Sequence, residues 1–230
     1  MAKKRVTRKE LLKKEDEFIS FSTRIYQFVV EHSKKIQWAG ICLGAIVVVI
    51  LGINLYLRHL NQKALAAYNE AFQNLVSNSS SQAGEESIQK STEELDKLIR
   101  EYGWTKMATF AIPQLAYLKY GQGKYKEAIS LYNDYLERIG ENSIYEPMAY
   151  FGIAACYEAE EDYQAAIRYL KKIIDNDGAF LKEEAMYSLG RMYELVGRKE
   201  LSKETFQKFI SQFPQSPLLP LAKTRLKNNL

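Results

Sequence analysis

The chain has 230 residues and a net charge of +4, a charge that by itself would fit a nucleic-acid-binding protein. The distribution of the charge excludes that class. Residues 1–35 carry ten Lys or Arg against five Asp or Glu, whereas residues 58–230 carry 22 against 23. The two cysteines, Cys42 and Cys156, lie in different segments, so the sequence shows no disulfide framework.

The N-terminal tail, residues 1–35, is predicted to be a basic, cytoplasmic, amphipathic helix. Thr7 and Glu10 are spaced as a capping box, and apolar residues then recur at helical intervals opposite a basic face. Two arrangements fit this pattern. The helix lies flat on the anionic inner leaflet, or it continues into the next segment as a positioning anchor.

Residues 36–57 are predicted to be a transmembrane helix. The 22 residues contain no Asp, Glu, Lys, Arg or His, and their clearly polar side chains are Gln37 and Asn54. A helix of this length covers about 30 Å, the thickness of the hydrocarbon layer of a bilayer. Within it, Gly40 and Gly44 form a small-xxx-small pattern that would let a second helix pack closely.

The basic tail also predicts the orientation of the chain. Lys and Arg in a short flank resist translocation, so the N-terminus is expected in the cytoplasm and the large domain on the far side. A cleaved signal peptide competes with this interpretation, because Ala64–Ala66 supply the small residues that a peptidase accepts. The long lead and the long apolar run favour an uncleaved anchor.

Residues 58–102 are predicted to form a connecting helix, a Ser-rich loop over residues 77–87, and one divergent helical pair. From Ile88 onward the apolar residues follow a helical period almost without interruption. The second half of the chain is therefore expected to be all helical.

Three segments of the second half align without a gap: residues 115–136, 153–174 and 189–210, which start 38 and 36 residues apart. A small residue at the expected helix crossing is followed four places later by a large one. The pairs are Ala128 with Tyr132, Ala166 with Leu170, and Ser202 with Phe206. These residues resemble the tetratricopeptide repeat family, whose helix pairs stack into a solenoid.

The resemblance implies an all-α fold: a single N-terminal transmembrane helix followed by a tetratricopeptide-repeat α-solenoid of about four helix pairs. Residues 103–230 would hold the repeats and a C-terminal capping helix. Some positions depart from the family pattern without breaking a helix: Lys119, Gly140, Gly178 and Lys199. A generic antiparallel helical bundle is the competing architecture.

The sequence predicts no enzyme. His32 and His59 lie on the two flanks of the apolar run without ligand partners at metal-binding spacing. The segment Gly121–Lys124 resembles a phosphate loop only superficially, because no Ser or Thr follows Lys124 and no strand is expected before it. We therefore expect no catalytic, cofactor or metal site.

A partner-binding groove is expected instead on the concave side, which the first helix of each repeat lines. The faces of those helices that point away from the second helices carry aromatic and Arg side chains, which dominate interface energetics. The residues are Phe110, Tyr117, Tyr120, Phe151, Tyr187 and Arg191. The alternative is that several of them pack between adjacent repeats.

The order of parts, with a charged tail, an anchor "WAGICLGAIVVVILGINLYL", a helix "QKALAAYNEAFQNL" and degenerate repeats, resembles the YfgM-type family. That resemblance implies an ancillary subunit of the bacterial translocon SecYEG in the inner membrane. Its periplasmic repeats would hold secretory chains or recruit a chaperone such as PpiD. The alternative is a structural scaffold for outer-membrane assembly, cell division or cytochrome maturation, because the C-terminal "FPQSPLLPLAKTRL" is similar to the ends of such proteins.

Overall fold

A computed structural model of the chain describes residues 23, 26–77, 81–176 and 180–228. Within these ranges every regular element is a helix, as predicted. The chain divides into two compact units, residues 1–56 and 57–230. The predicted capping box at Thr7 and Glu10 and the predicted turn residue Gly178 lie outside the described residues.

The first unit contains the apolar run. Residues 26–31 are helical, and helix α1, Ser33–Ser77, then carries the run without a break. The most apolar stretch of α1 buries none of its residues within the protein, so α1 is a candidate membrane span. A Cβ added at Gly40 or Gly44 meets no atom within 4 Å, and close packing of a second helix there stays a prediction.

The second unit starts with the last part of α1 and continues through eight further helices. These are α2 Ser81–Glu101, α3 Lys106–Gly121, α4 Tyr125–Ile139, α5 Glu146–Ala159, α6 Tyr163–Ile174, α7 Lys182–Leu195, α8 Lys199–Gln212 and α9 Leu219–Asn228. From α2 onward each helix packs against the next. The pairs α3/α4, α5/α6 and α7/α8 are the three aligned repeats, and α9 covers α8 as a cap.

The divergent first pair consists of the end of α1 and helix α2. The Ser91 hydroxyl donates to the carbonyl of Ala71 at 2.8 Å, and the Asn74 amide donates to the Glu94 carboxylate at 2.8 Å. Helix α2 begins at Ser81, so the connector is shorter than the loop predicted over 77–87. Gln, Ala and Glu in that stretch have good helix propensity, which extends α2 toward its N-terminus.

The residues predicted at the helix crossings form the core. Ala128, Ala166 and Ser202 are fully buried. The large residue four places after each of them is at most 5% exposed. The Ser202 hydroxyl donates to the carbonyl of Gly190 at 2.9 Å, so the polar member of the set is satisfied. The small residues bring the two helices of a pair close enough for the large side chain to fill the space between them.

The turns inside the three repeats share one backbone conformation. In each, the last amide of the turn donates to a carbonyl five residues earlier at 2.8–2.9 Å: Lys124 to Lys119, Asp162 to Tyr157, and Arg198 to Tyr193. The residue before that amide has a positive φ, +72° at Gly123, +73° at Gly197 and +62° at Glu161. The middle repeat thus places a glutamate where the other two place glycine.

Replacing Glu161 with Gly is expected to stabilise the protein by about 0.5–1 kcal/mol. The left-handed conformation costs a residue with a Cβ about 1–2 kcal/mol, and the extra backbone entropy of an unfolded glycine offsets part of that. Thermal unfolding followed by circular dichroism in mild detergent measures the change. Gly197→Ala is the matched control and should lower the midpoint. A lower midpoint for Glu161→Gly would show that the backbone at Glu161 is not strained.

Cys156 lies in the core between α4 and α5 with no exposed surface. Burial raises the pKa of its thiol to about 11. At pH 8 the thiolate then amounts to about one part in a thousand, so iodoacetamide should label Cys156 only when the protein unfolds. An exposed cysteine introduced by Lys126→Cys provides the control, and equal labelling rates at both positions would show that the core is open.

Candidate functional site

A groove of about 420 Å³ lies on the face formed by the first helices of the pairs. Phe110, Pro113, Gln114 and Tyr117 line it because three- and four-residue spacing places them on one side of α3. The last part of α1, helix α4 and the start of α5 supply the remaining lining residues, which are Tyr68, Tyr132, Tyr135, Tyr145 and Met148. We call this set of nine residues the aromatic groove.

The walls of the aromatic groove expose their rings to solvent. Tyr117 is 62% exposed and Phe110 is 42% exposed, which is unusual for large side chains in the middle of a repeat helix. Phe110 contacts Tyr145 edge to face, with ring centroids 5.5 Å apart. Both walls therefore present apolar surface that a bound partner could cover.

The floor of the aromatic groove is made by two tyrosines of α4, which are buried. The Tyr132 ring lies against Gly152 of α5, where any Cβ would overlap it, so this glycine makes room for the ring. The Tyr135 hydroxyl is buried and has no hydrogen-bond partner among the described residues. A buried phenol without a partner is costly, so this hydroxyl lowers the stability of the fold.

The aromatic groove is electrically neutral. None of its nine lining residues carries an ionisable acid or base at neutral pH, and burial raises the pKa of Tyr132 and of Tyr135 above the ordinary value for tyrosine. A charged side chain would lose hydration there without gaining a counter-charge. The surface suits an uncharged, apolar segment.

Comparison with known families identifies the fold. The sequence profile of the family described as "Tetratricopeptide repeat-like domain" matches residues 27–228, most of the chain. The chain belongs to this family. No curated protein matches the sequence of the chain.

Solved structures of tetratricopeptide repeat proteins share the architecture. A tetratricopeptide repeat protein from Parabacteroides merdae is 16% identical with a TM-score of 0.56, over 71% of this chain and 60% of that one. This chain thus covers about three-fifths of that relative. A MamA RS-1 double mutant is 18% identical with a TM-score of 0.55, over 74% of this chain and 90% of that one.

A third structure contains nearly identical repeats of a putative kinesin light chain from Podosopora anserina. It is 13% identical with a TM-score of 0.53, and the match covers 76% of this chain and 85% of that one. At such identities the likeness establishes the tetratricopeptide repeat fold alone.

The structure brings together two of the six residues predicted to line the groove, Phe110 and Tyr117. Tyr120 packs against the core and contacts the ring of Tyr125, with centroids 5.5 Å apart. Phe151 packs against the core of the middle repeat. Tyr187 contacts the rings of two buried phenylalanines of α8 at 5.9 and 6.1 Å.

Arg191, the sixth predicted residue, is engaged in an ion pair with Glu158. In the same way the Arg225 guanidinium of α9 lies 2.6 Å from the Glu194 carboxylate. A hydrogen bond with Tyr187 is the largest influence that raises the pKa of Arg225, and the Glu194 carboxylate adds to it. These pairs tie α5 to α7 and α7 to α9, so the two arginines are already paired with carboxylates of the tetratricopeptide repeat domain.

Several groove residues were absent from the sequence prediction. Met148 follows Phe110 by 38 residues, the spacing of the first two repeats, and that spacing could have identified it. Tyr68 lies outside the aligned repeats, and Tyr135 belongs to a second helix, so neither had such a signal. Tyr145 lies in a loop, where helical periodicity gives no information.

A second depression, of about 490 Å³, lies between α2 and the turn after α3 and is lined mainly by polar residues. It includes Lys119, which replaces an aromatic residue of the family pattern and whose ammonium lies 2.7 Å from the Glu127 carboxylate. The amide of Gln122 donates to the Thr92 hydroxyl at 3.0 Å. Across the described part of the chain, no three His, Cys, Asp or Glu side chains are grouped to hold a metal.

Proposed function

We propose that the protein is a membrane-anchored binding protein without catalytic activity, and that the aromatic groove is its partner-binding site. The observation that carries this proposal is the neutral groove of exposed aromatic rings. Aromatic side chains in a desolvated pocket supply most of the binding energy of typical protein interfaces. Family membership supports a protein as the partner, since stacked helix pairs provide extended surfaces for chains and helices.

The partner segment is uncharged and apolar, and it packs on the exposed rings of Phe110 and Tyr117. Charged segments are disfavoured because no lining residue offers a counter-charge. Segments of this composition are exposed in chains that have not yet folded. The groove therefore fits a protein that holds unfolded or newly exported chains.

The proposed location is the bacterial inner membrane, with residues 36–57 as a single span. The ten Lys and Arg of the tail hold the N-terminus in the cytoplasm, and the repeats lie in the periplasm. Together with the resemblance to the YfgM-type family, this arrangement supports an ancillary role at SecYEG, beside a periplasmic chaperone such as PpiD. The groove would meet secretory chains as they emerge.

Purification of the full chain in mild detergent, followed by identification of bound proteins, tests this role. We expect SecY to be recovered with the wild type. Recovery of bound secretory chains should fall at least tenfold in a Phe110→Ser, Tyr117→Ser variant, because these two rings line the aromatic groove. Lys126→Ser, an exposed change on α4, is the matched control and should not alter recovery.

Consistent absence of SecY and recovery of one other envelope complex would instead identify the protein as a scaffold for that complex. Protease added to spheroplasts tests the location separately. Digestion of the repeat domain is expected, and its protection would place the domain in the cytoplasm and refute the proposal.

A further inference from the structure

The loops that join one helix pair to the next expose large apolar side chains at one edge of the repeat domain. Trp104, in the loop before α3, is 93% exposed, and Ile144, in the loop before α5, is 73% exposed. Tyr145 and Phe180, which precede α5 and α7, are also exposed. We call these four residues the entry edge. A tryptophan almost wholly in solvent is unusual, since the residue is highly buried on average.

The turns inside the repeats, at the other edge, differ in composition. Residues 121–124, 160–162 and 196–198 contain no aromatic residue and are mostly polar or glycine. Exposed aromatic side chains therefore occur in the loops between helix pairs and not in the turns inside the repeats. Such a difference indicates that the two edges meet different surroundings.

The entry edge is where the chain enters the second unit, at Leu57. Asn61, one helical turn after Leu57, accepts a hydrogen bond from the amide of Met107 in the first turn of α3 at 3.1 Å. Trp104 precedes Met107 by three residues. Because four residues of helix rise about 6 Å, Leu57 and Trp104 lie at the same end of the unit, whatever angle the apolar segment takes.

The later loops belong to the same edge because the first helices run in the same direction. Tyr68 of α1 and Tyr117 of α3 lie seven and ten residues after Asn61 and Met107, and both line the aromatic groove. The contact between Phe110 and Tyr145 places the start of α5 beside the first turns of α3. The loop with Ile144 therefore lies beside that with Trp104.

We infer that the entry edge docks onto the interfacial layer of the lipid bilayer. The inference rests on the proposed span, which ends at Leu57 and so holds this edge within about one helical turn of the lipid surface. Tryptophan and tyrosine favour that layer because their rings are apolar and their N–H or O–H stays hydrated. Such docking restricts the tilt of the repeat domain and with it the height of the aromatic groove above the membrane.

The attraction is apolar and not electrostatic. The loops carry Glu141 and Asp175, both exposed, and the helix ends beside them carry the exposed cations Lys106, Lys171 and Lys172, so neither sign of charge dominates. The described residues of these loops include no Lys or Arg and so form no basic patch for anionic headgroups. Zwitterionic phosphatidylcholine should therefore suffice for docking, without anionic lipid.

Tryptophan fluorescence of the full chain in phosphatidylcholine vesicles tests the inference. The chain has two tryptophans, so Trp38→Phe leaves Trp104 as the only reporter. We expect its emission to shift to the blue and to be quenched by brominated phosphatidylcholine. In the control, a variant with both tryptophans replaced by Phe and with Glu160→Trp carries the reporter at the other edge and should not be quenched.

Two results would overturn the inference. If Trp104 emits at the wavelength typical of water and brominated lipid does not quench it, the entry edge lies in solvent. Shielding from an aqueous quencher without lipid quenching would mean that a protein, such as a second copy, covers it. The variant Trp104→Phe keeps Trp38 as the reporter of the span. Its quenching in the same vesicles shows whether the span inserts, separately from docking of the entry edge.

Discussion

Replacing Phe206 with Ala is expected to lower the free energy of unfolding by about 3–5 kcal/mol, the usual cost of removing a buried phenylalanine. Its ring has no exposed surface and contacts Tyr187 at a centroid distance of 5.9 Å. Thermal unfolding in mild detergent should show a midpoint lower by roughly 6–20 °C. Leu201→Ala, on the same helix at a 40% exposed position, is the control and should cost far less.

Gly190, the residue that faces Phe206, allows a second test of the same helix crossing. A Cβ at Gly190 would lie 2.7 Å from Cε1 and Cζ of Phe206, so Gly190→Ala overpacks the crossing and should cost about 1–3 kcal/mol. Phe206→Leu makes room at that point, and the double variant should lose less than the sum of the two single variants. Strict additivity would show that the two positions do not meet.

Tyr117→Ala is expected to weaken binding of an uncharged apolar peptide at least tenfold, because truncating an aromatic side chain at an interface hot spot costs 2 kcal/mol or more. The side chain is 62% exposed in the free protein, so the unfolding midpoint should hardly change. Fluorescence anisotropy of a labelled peptide, with the full chain in lipid nanodiscs, measures the affinity. An unchanged affinity would show that the aromatic groove is not the binding site.

The conservative variant Tyr135→Phe separates binding from folding. It deletes a buried hydroxyl that has no partner, so stability should rise by about 1 kcal/mol. The hydroxyl has no exposed surface, so the affinity for the peptide should hardly change. Thermal unfolding measures the stability, and a lower midpoint for Tyr135→Phe would show that the hydroxyl has a structural role.

The sequence predicted the repeat core because spacing alone encodes it. Ala128, Ala166 and Ser202 recur at the interval of the helix pairs, and each must be small for its two helices to approach. The candidate span was predictable in the same way, from an apolar run without charges.

The groove was only partly predictable, because burial and pairing depend on neighbours that are distant in sequence. Tyr187 and Phe110 occupy similar faces of first helices, yet Tyr187 packs on two phenylalanines and hydrogen-bonds with Arg225 of the capping helix. Arg191 meets a carboxylate 33 residues earlier, which periodicity does not reveal. Tyr135 carries the unpartnered hydroxyl, and its position in a second helix predicts only a core role.

The central proposal is that the aromatic groove receives uncharged segments of other proteins in the periplasm. Photo-crosslinking in living cells tests it most directly, with benzoylphenylalanine placed at Tyr117 or, as control, at Lys126. We predict adducts with secretory chains, identified by mass spectrometry, from position 117 and not from 126. Equal yields at both positions, or no adduct at position 117, would contradict the account.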